Sequence, residues 1–510
     1  MRKYKRAIIG GILSDSIIYI LTIIISLIVV PIYLHFVSLK EYGAYIAINS
    51  IVAIISLADI GMSMYTEKKL SNDDFFYSKR TLLYLYSMQI FQYLLGIILL
   101  ILGILVALKI DLILSIDEKY LQSVRELFFF SWLGVVIGVI FGLNHAIIKS
   151  RHKLKYMNII MFIKFLLINV FSIILLYFNY GLISFGIAIF ISTLIINLIV
   201  FLKVKREYNI NICFPTKINF SYIKEGWNYV KQFQILKIAH IAKTSLFTVL
   251  LNNYGGQIIV AKYNITNKIP QLIPGFISKL VTNLFPSLAS YFEKGEKKKI
   301  REFYEKIFKI GIFVTLFSVY GLCSLNELFV SIWVGSDKFI GYDLFVFILL
   351  NFIILIFISF TGIIIQASGE FEKMPFVSLI ETVIFIFLSY VLFKLFGLYG
   401  FFIGYIIASF IGLIYSIYLV NKILNVNLFK WIKEGIKSFV LIFIFMAVSD
   451  FFVKKFIDND LNKFVILFLL YIIYFIVFSK IYTKIDLLKF IVGFIRSNVE
   501  YFLLKLNRGG

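Results

Sequence analysis

Apolar runs of twenty or more residues recur along the chain, separated by short polar stretches in which Lys and Arg gather. A helix needs about 20 such residues to cross the roughly 30 Å hydrocarbon core of a bilayer. Runs of that length fall near residues 7–34, 43–65, 81–108, 127–149, 157–178 and 181–203. After a polar stretch at 204–225 they resume near 226–252, 258–290, 304–325, 340–368, 375–397, 399–424, 434–456 and 460–482. Barrel strands would alternate apolar and polar positions over about ten residues. These runs do not alternate, and they tolerate Gly and carry few Pro, so the pattern predicts an all-α integral membrane fold of about 14 transmembrane helices.

Composition agrees: 61% of the 510 residues are hydrophobic and 15% are charged. The net charge of +23 raises the question of nucleic acid, but the basic residues sit in short clusters between apolar runs and form no stripe or tail, so no nucleic-acid partner is expected. They read instead as topology. Clusters at the N-terminus, at Lys68, Lys69, Lys79 and Arg80, at Lys149 to Lys155, at Lys203 to Arg206 and in the run from Lys294 all fall on one side if every span crosses. Roughly 35 of the 51 basic residues lie there and roughly nine on the other side, which the positive-inside rule assigns to the cytoplasm, with both termini inside. The same count makes 226–252 a crossing helix despite its low apolarity, since otherwise the later basic loops would be exported. The opening MRKYKRAIIGGIL resembles a signal peptide, yet the run continues to about Phe36 without a small-residue cleavage site, so it reads as a retained first span.

The two halves echo each other. EYGAYIAINS, with Tyr42 and Gly43, pairs with NYGGQIIVAKYNI, with Tyr254 and Gly255, at an offset of 212; YGLISFGIAIFIS from Tyr180 pairs with FGLYGFFIGYIIA from Phe396 at an offset of 216. Six helices return the chain to its starting side, so the halves read as parallel repeats, a plan that places a substrate site between them near the midplane. The expected organisation is a six-helix lobe at 1–206, a cytoplasmic linker at 207–225 and a second six-helix lobe at 226–424. Residues 425–510 then hold two extra transmembrane helices and a cytoplasmic amphipathic tail.

Several stretches resemble the polysaccharide-transporter branch of the multidrug, oligosaccharidyl-lipid and polysaccharide (MOP) flippase superfamily, with the Wzx-type O-antigen and capsule flippases. They are VPIYLHFVSLKEYGAYIAINSIVAIISLADIGM (30–62), YGGQIIVAKYNITNKI through LFPSLASYFEKGE (254–296), SIWVG (331–335) and LFGLYGFFIG (395–404). The resemblance covers most of the chain in order, on loose motifs of small residues, Pro and Gly. It implies alternating-access movement of isoprenoid (undecaprenyl) diphosphate-linked oligosaccharide from the cytoplasmic to the outer leaflet of the bacterial inner membrane, for surface polysaccharide biosynthesis. Membrane lipids and a polysaccharide polymerase machinery are the implied partners.

One segment departs from ordinary hydrocarbon-facing sequence. FQILKIAHIAKTSLF places Lys237, His240 and Lys243 within an arc of about 120° on a helix. A central Lys facing lipid costs about 2.5–3.5 kcal/mol on the insertion scale, so these side chains should face protein or water. The next span adds Lys262 and Lys268, together with Pro270, Pro274 and Pro286, half of the chain's six prolines. Lysines near span ends, such as Lys231 and Lys262, also fit snorkelling to the headgroups. A cationic interior suits an anionic cargo, so Lys237, His240, Lys243, Lys262 and Lys268 are the candidate substrate-binding residues, and a diphosphate is what the resemblance would place there.

Asp15, Asp59 and Glu381 are the acids singled out at membrane depth; each either pairs with a lysine or binds a proton or Na⁺ for coupling. Cys213 and Cys323 have no redox or metal spacing, and no nucleotide loop, metal cluster or nucleophile constellation is visible, so neither a cofactor nor an enzymatic activity is expected. A multidrug exporter of the same superfamily is the alternative, against which the basic interior counts. A membrane polymerase or glycosyltransferase is another, against which the short outer loops count; the longest spans about residues 109–126.

Overall fold

The computed structural model describes the backbone of residues 2–56, 61–78, 80–212, 215–282, 284–370 and 374–483; within these, the side chains of 2–16, 55, 231–242, 276, 279–282, 286–287, 438, 441 and 480–483 are left undescribed. The described residues form helices and no strand. In order these are α1 (Arg2–Phe36), α2 (Leu39–Ser56), α3 (Met62–Leu70), α4 (Asp73–Phe76), α5 (Arg80–Leu108), α6 (Ile110–Ile113), α7 (Glu118–Ile140), α8 (Gly142–Ser150) and α9 (Leu154–Tyr177). There follow α10 (Ile183–Tyr208), α11 (Phe220–Thr266), α12 (Lys268–Thr282), α13 (Phe285–Glu293), α14 (Lys297–Val334), α15 (Tyr342–Ser368), α16 (Met374–Leu424), α17 (Leu428–Phe456) and α18 (Asp460–Thr483), with a 3-10 turn at Ser336–Lys338.

Within the described residues each apolar run predicted from the sequence is mainly helical, and the breaks fall in instructive places. The fourth run divides at Phe141 into α7 and α8, and the eighth is shared among the end of α11, α12 and α13. The seventh and eighth join through Gly256 (φ 78°), the eleventh and twelfth through Gly397 (φ 58°). Among the described residues nine helices are long and apolar enough to cross a membrane, or ten if the bent pair Leu428–Lys437 and Ile442–Phe456 is one span; this number takes both arms of α16 as one and leaves out α11. The chain is a multi-pass membrane protein.

The second repeat pairing has a backbone counterpart. At an offset of 216, Gly181 falls on Gly397, and both have φ 58°, a left-handed turn that glycine enters at no steric cost. The first pairing has none, because Gly43 lies inside α2 whereas Gly255 adjoins the break at Gly256. After Gly397 the chain doubles back: the Cβ of any residue replacing Gly400 would meet the Leu392 carbonyl, and one at Gly404 would meet the Ser389 backbone. The two arms of α16 therefore form an antiparallel hairpin held at backbone contact.

The chain divides into two compact units, Met1–Ala261 and Lys262–Gly510. The first takes in most of α11, whose long arm is fastened at both ends. At one end Lys69 bonds the Glu225 carboxylate at 2.6 Å and the Asn219 amide N–H donates to Ser87 Oγ at 2.8 Å. At the other, Asn252 and Asn253 donate to the carbonyls of Ser115 and Ile113 at 3.1 and 2.9 Å. A core of Met62, Tyr65, Tyr84, Met88, Leu143 and Val230 closes the Lys69 end. In the second unit α17 and α18 pack on α14 through Phe313, Phe439, Met446, Leu467 and Tyr471.

Candidate functional site

The basic face predicted on the seventh span lies on the long arm of α11. Lys243 is half-buried there, beside the buried Ser245 and Phe247. The side chains of Lys237 and His240 fall within 231–242, outside the described residues, as do Asp59 and the side chain of Asp15. Lys243 belongs to the first compact unit, and Lys262 and Lys268, both half-buried, to the second.

Lys268 opens α12 directly after a break, and local chemistry explains why the helix stops there. In an unbroken helix the amide of residue 270 would bond the Thr266 carbonyl; Pro270 has no N–H. That buried carbonyl is taken instead by Asn326 Nδ2 of α14 at 2.9 Å, and the Thr266 hydroxyl accepts from the Ile340 amide at 3.0 Å. Both bonds are buried, so the segment carrying Lys262 and Lys268 is pinned to its neighbours where the backbone ladder is interrupted.

Glu381 is 9% exposed and packs on the returning arm of its hairpin, where a Cβ at Gly412 would come within 1.7 Å of Oε1. A buried carboxylate at this spot therefore requires glycine opposite. The sequence-derived set of deep acids omits Asp450, a lone acid in the apolar run of α17. Asp450 Oδ1 accepts from Ser324 Oγ at 2.5 Å and Tyr471 OH at 2.6 Å, while Tyr320 OH and Lys454 Nζ reach Oδ2 at 3.4 Å. One acid thus ties three helices, α14, α17 and α18. The signal was present as a single Asp among apolar neighbours in MAVSDFFV.

At the basic-loop end of the first unit, the Lys69 ammonium lies about 5 Å from the rings of Phe75, Tyr84 and Tyr222, and 5.6 Å from that of Tyr65. Burial pushes the Glu225 carboxyl up, but hydrogen bonds from Lys69 and Tyr65 outweigh it and hold the group below the usual carboxylate range. Arg151 pairs with Asp73 and reaches the Leu70 carbonyl, and Lys153 and Lys203 share Glu207. Loop charge expected to orient the chain is thus also used in holding the loops together.

The sequence matches no family model. Over 162 residues it is 25% identical to a protein of Shigella dysenteriae named "Putative O-antigen transporter"; the match spans 30% of this chain and 36% of that one, about a third of its length. The fold is similar to that of the lipid II flippase MurJ in an inward closed conformation, with a TM-score of 0.72 at 16% identity over 93% of this chain and 99% of that one. It is also similar to an inward-facing multidrug resistance MATE family transporter, with a TM-score of 0.65 at 16% identity over 82% of this chain and 98% of the other. All three are transport proteins and none is an enzyme. The chain therefore has the fold of the MOP superfamily, as the resemblance read from its sequence implies.

Proposed function

We propose that this protein is a flippase that carries isoprenoid diphosphate-linked oligosaccharide from the cytoplasmic to the outer leaflet of the inner membrane by alternating access, for surface polysaccharide synthesis. The observation that carries this reading is the extent of the two fold similarities. The likeness to the lipid II flippase covers 93% of the chain and that to the multidrug transporter 82%. The difference is about a tenth of the chain. A chain built to the longer plan fits a lipid-linked cargo better than a small cationic drug. The basic residues support the same choice, since Lys237, His240, Lys243, Lys262 and Lys268 offer positive charge to a diphosphate and would repel a cation. Asp15, Asp59 and Glu381 are proposed as coupling or pairing acids, and the polymerase machinery as the acceptor of the product.

The test is the leaflet distribution of the lipid-linked oligosaccharide in cells depleted of this protein, read with an impermeant sugar-modifying probe. Completed units trapped on the cytoplasmic face are expected; units reaching the outer face would overturn the reading. Lys237→Gln, Lys243→Gln and Lys268→Gln should each abolish transport while the protein still inserts, and unchanged transport in all three would remove the lysines from the mechanism.

A further inference from the structure

We propose that an anionic phospholipid seats one acyl chain in a groove at the basic-loop end of the first unit, with its headgroup at Lys224. The groove is open along one side and offers about 460 Å³. Its walls are Met62 of α3, Phe91 of α5 and Phe220, Ile223 and Trp227 from the first two turns of α11. Two polar residues complete the lining. The Ser221 hydroxyl is committed to Asn219 Oδ1 at 2.7 Å, whereas Lys224 makes no ion pair among the described residues. Its neighbour Glu225, the acid nearest in sequence, is taken by Lys69, and no acidic side chain lines the groove. An apolar slot with one uncompensated cation in its lining matches a hydrocarbon chain carrying a phosphate.

The surroundings say that the occupant comes from the bilayer. From Phe91 the outer face of α5 continues through Leu94, Ile97, Ile98 and Ile101, each more than half exposed and spaced as one helical stripe, so the groove lies beside a lipid-facing surface. Trp227 and Phe220 are 48% and 70% exposed, aromatic rings of the kind that settle at headgroup level. A soluble anion would not need these walls, and a zwitterionic lipid would not use the free charge. The lining shares no residue with the candidate cargo-binding set, so the proposal does not depend on that assignment.

The experiment uses the full chain purified in detergent, titrated with dioleoyl phosphatidylglycerol and, in parallel, dioleoyl phosphatidylcholine, with bound lipid counted by native mass spectrometry. Lys224→Gln should weaken phosphatidylglycerol binding about fivefold, the effect of one lysine at a membrane surface, and leave phosphatidylcholine unchanged. Trp227→Ala should weaken both lipids, with Trp227→Phe restoring them. Lys217→Gln, which removes a neighbouring basic residue that does not line the groove, should change neither. Equal loss in Lys217→Gln and Lys224→Gln, or equal wild-type affinity for the two lipids, would overturn the proposal in favour of diffuse surface charge. Displacement of phosphatidylglycerol by undecaprenyl diphosphate would also overturn it, assigning the groove to the cargo.

Discussion

Two of the helix breaks, one in each compact unit, each free a carbonyl that a side-chain amide then takes. Between α7 and α8 the Asn144 amide N–H turns to Phe141 O at 3.0 Å, and the freed Ile140 carbonyl accepts from Gln89 Nε2 of α5 at 2.9 Å. Between α11 and α12 the Thr266 carbonyl accepts from Asn326 Nδ2 of α14 at 2.9 Å. Both amides leave their own oxygen without a partner among the described residues, so each is present for its donor. The two breaks differ in cause. At the first, Asn144 retains an amide N–H that can return to Ile140 if the helix closes. At the second, Pro270 has none, and the gap in the ladder is fixed by covalent structure. The amide that serves a proline-made break is irreplaceable; the one that serves an elective break has a competitor in the backbone itself.

The largest expected effect is therefore at Asn326. Asn326→Leu leaves the Thr266 carbonyl buried and unpaired and should cost about 1–3 kcal/mol of stability, measured by unfolding in detergent. Restoring the missing donor sharpens the comparison: in a Pro270→Ala background the same Asn326→Leu change should lose less than half as much, a coupling that a double-mutant cycle reads directly. Equal losses in the two backgrounds would mean that Asn326 acts through packing alone. The smallest effect belongs to Gln89→Leu, which should cost less than about 1 kcal/mol because the backbone can reclaim Ile140. A loss as large as that at Asn326 would end the distinction between the two breaks.

The helices themselves are legible in the sequence because hydrocarbon imposes length and apolarity on each crossing, and a run of twenty apolar residues has little other use. The turn glycines Gly181 and Gly397 are legible for a related reason, since a left-handed turn narrows the choice of residue. The partners of the breaks are not. Asn326 and Gln89 each sit on a different helix from the carbonyl they serve, and nothing in a linear reading links residue 326 to residue 266. The first break is hidden as well, because Phe141 carries no proline signal. Of the candidate site, the lysines stand out by their cost in hydrocarbon. Asp450 carries the same signal, and what it does became readable only once α14 and α18 supplied the hydroxyls around it.

The double fastening of α11 bears on how the molecule is made. The four anchoring groups described above, on Lys69, Ser87, Ile113 and Ser115, all precede Asn219 in the chain, so each has already been synthesised when this arm leaves the ribosome. A segment whose lysines make it a poor passenger for unaided partition into lipid is thus met, at birth, by a finished surface that can receive it.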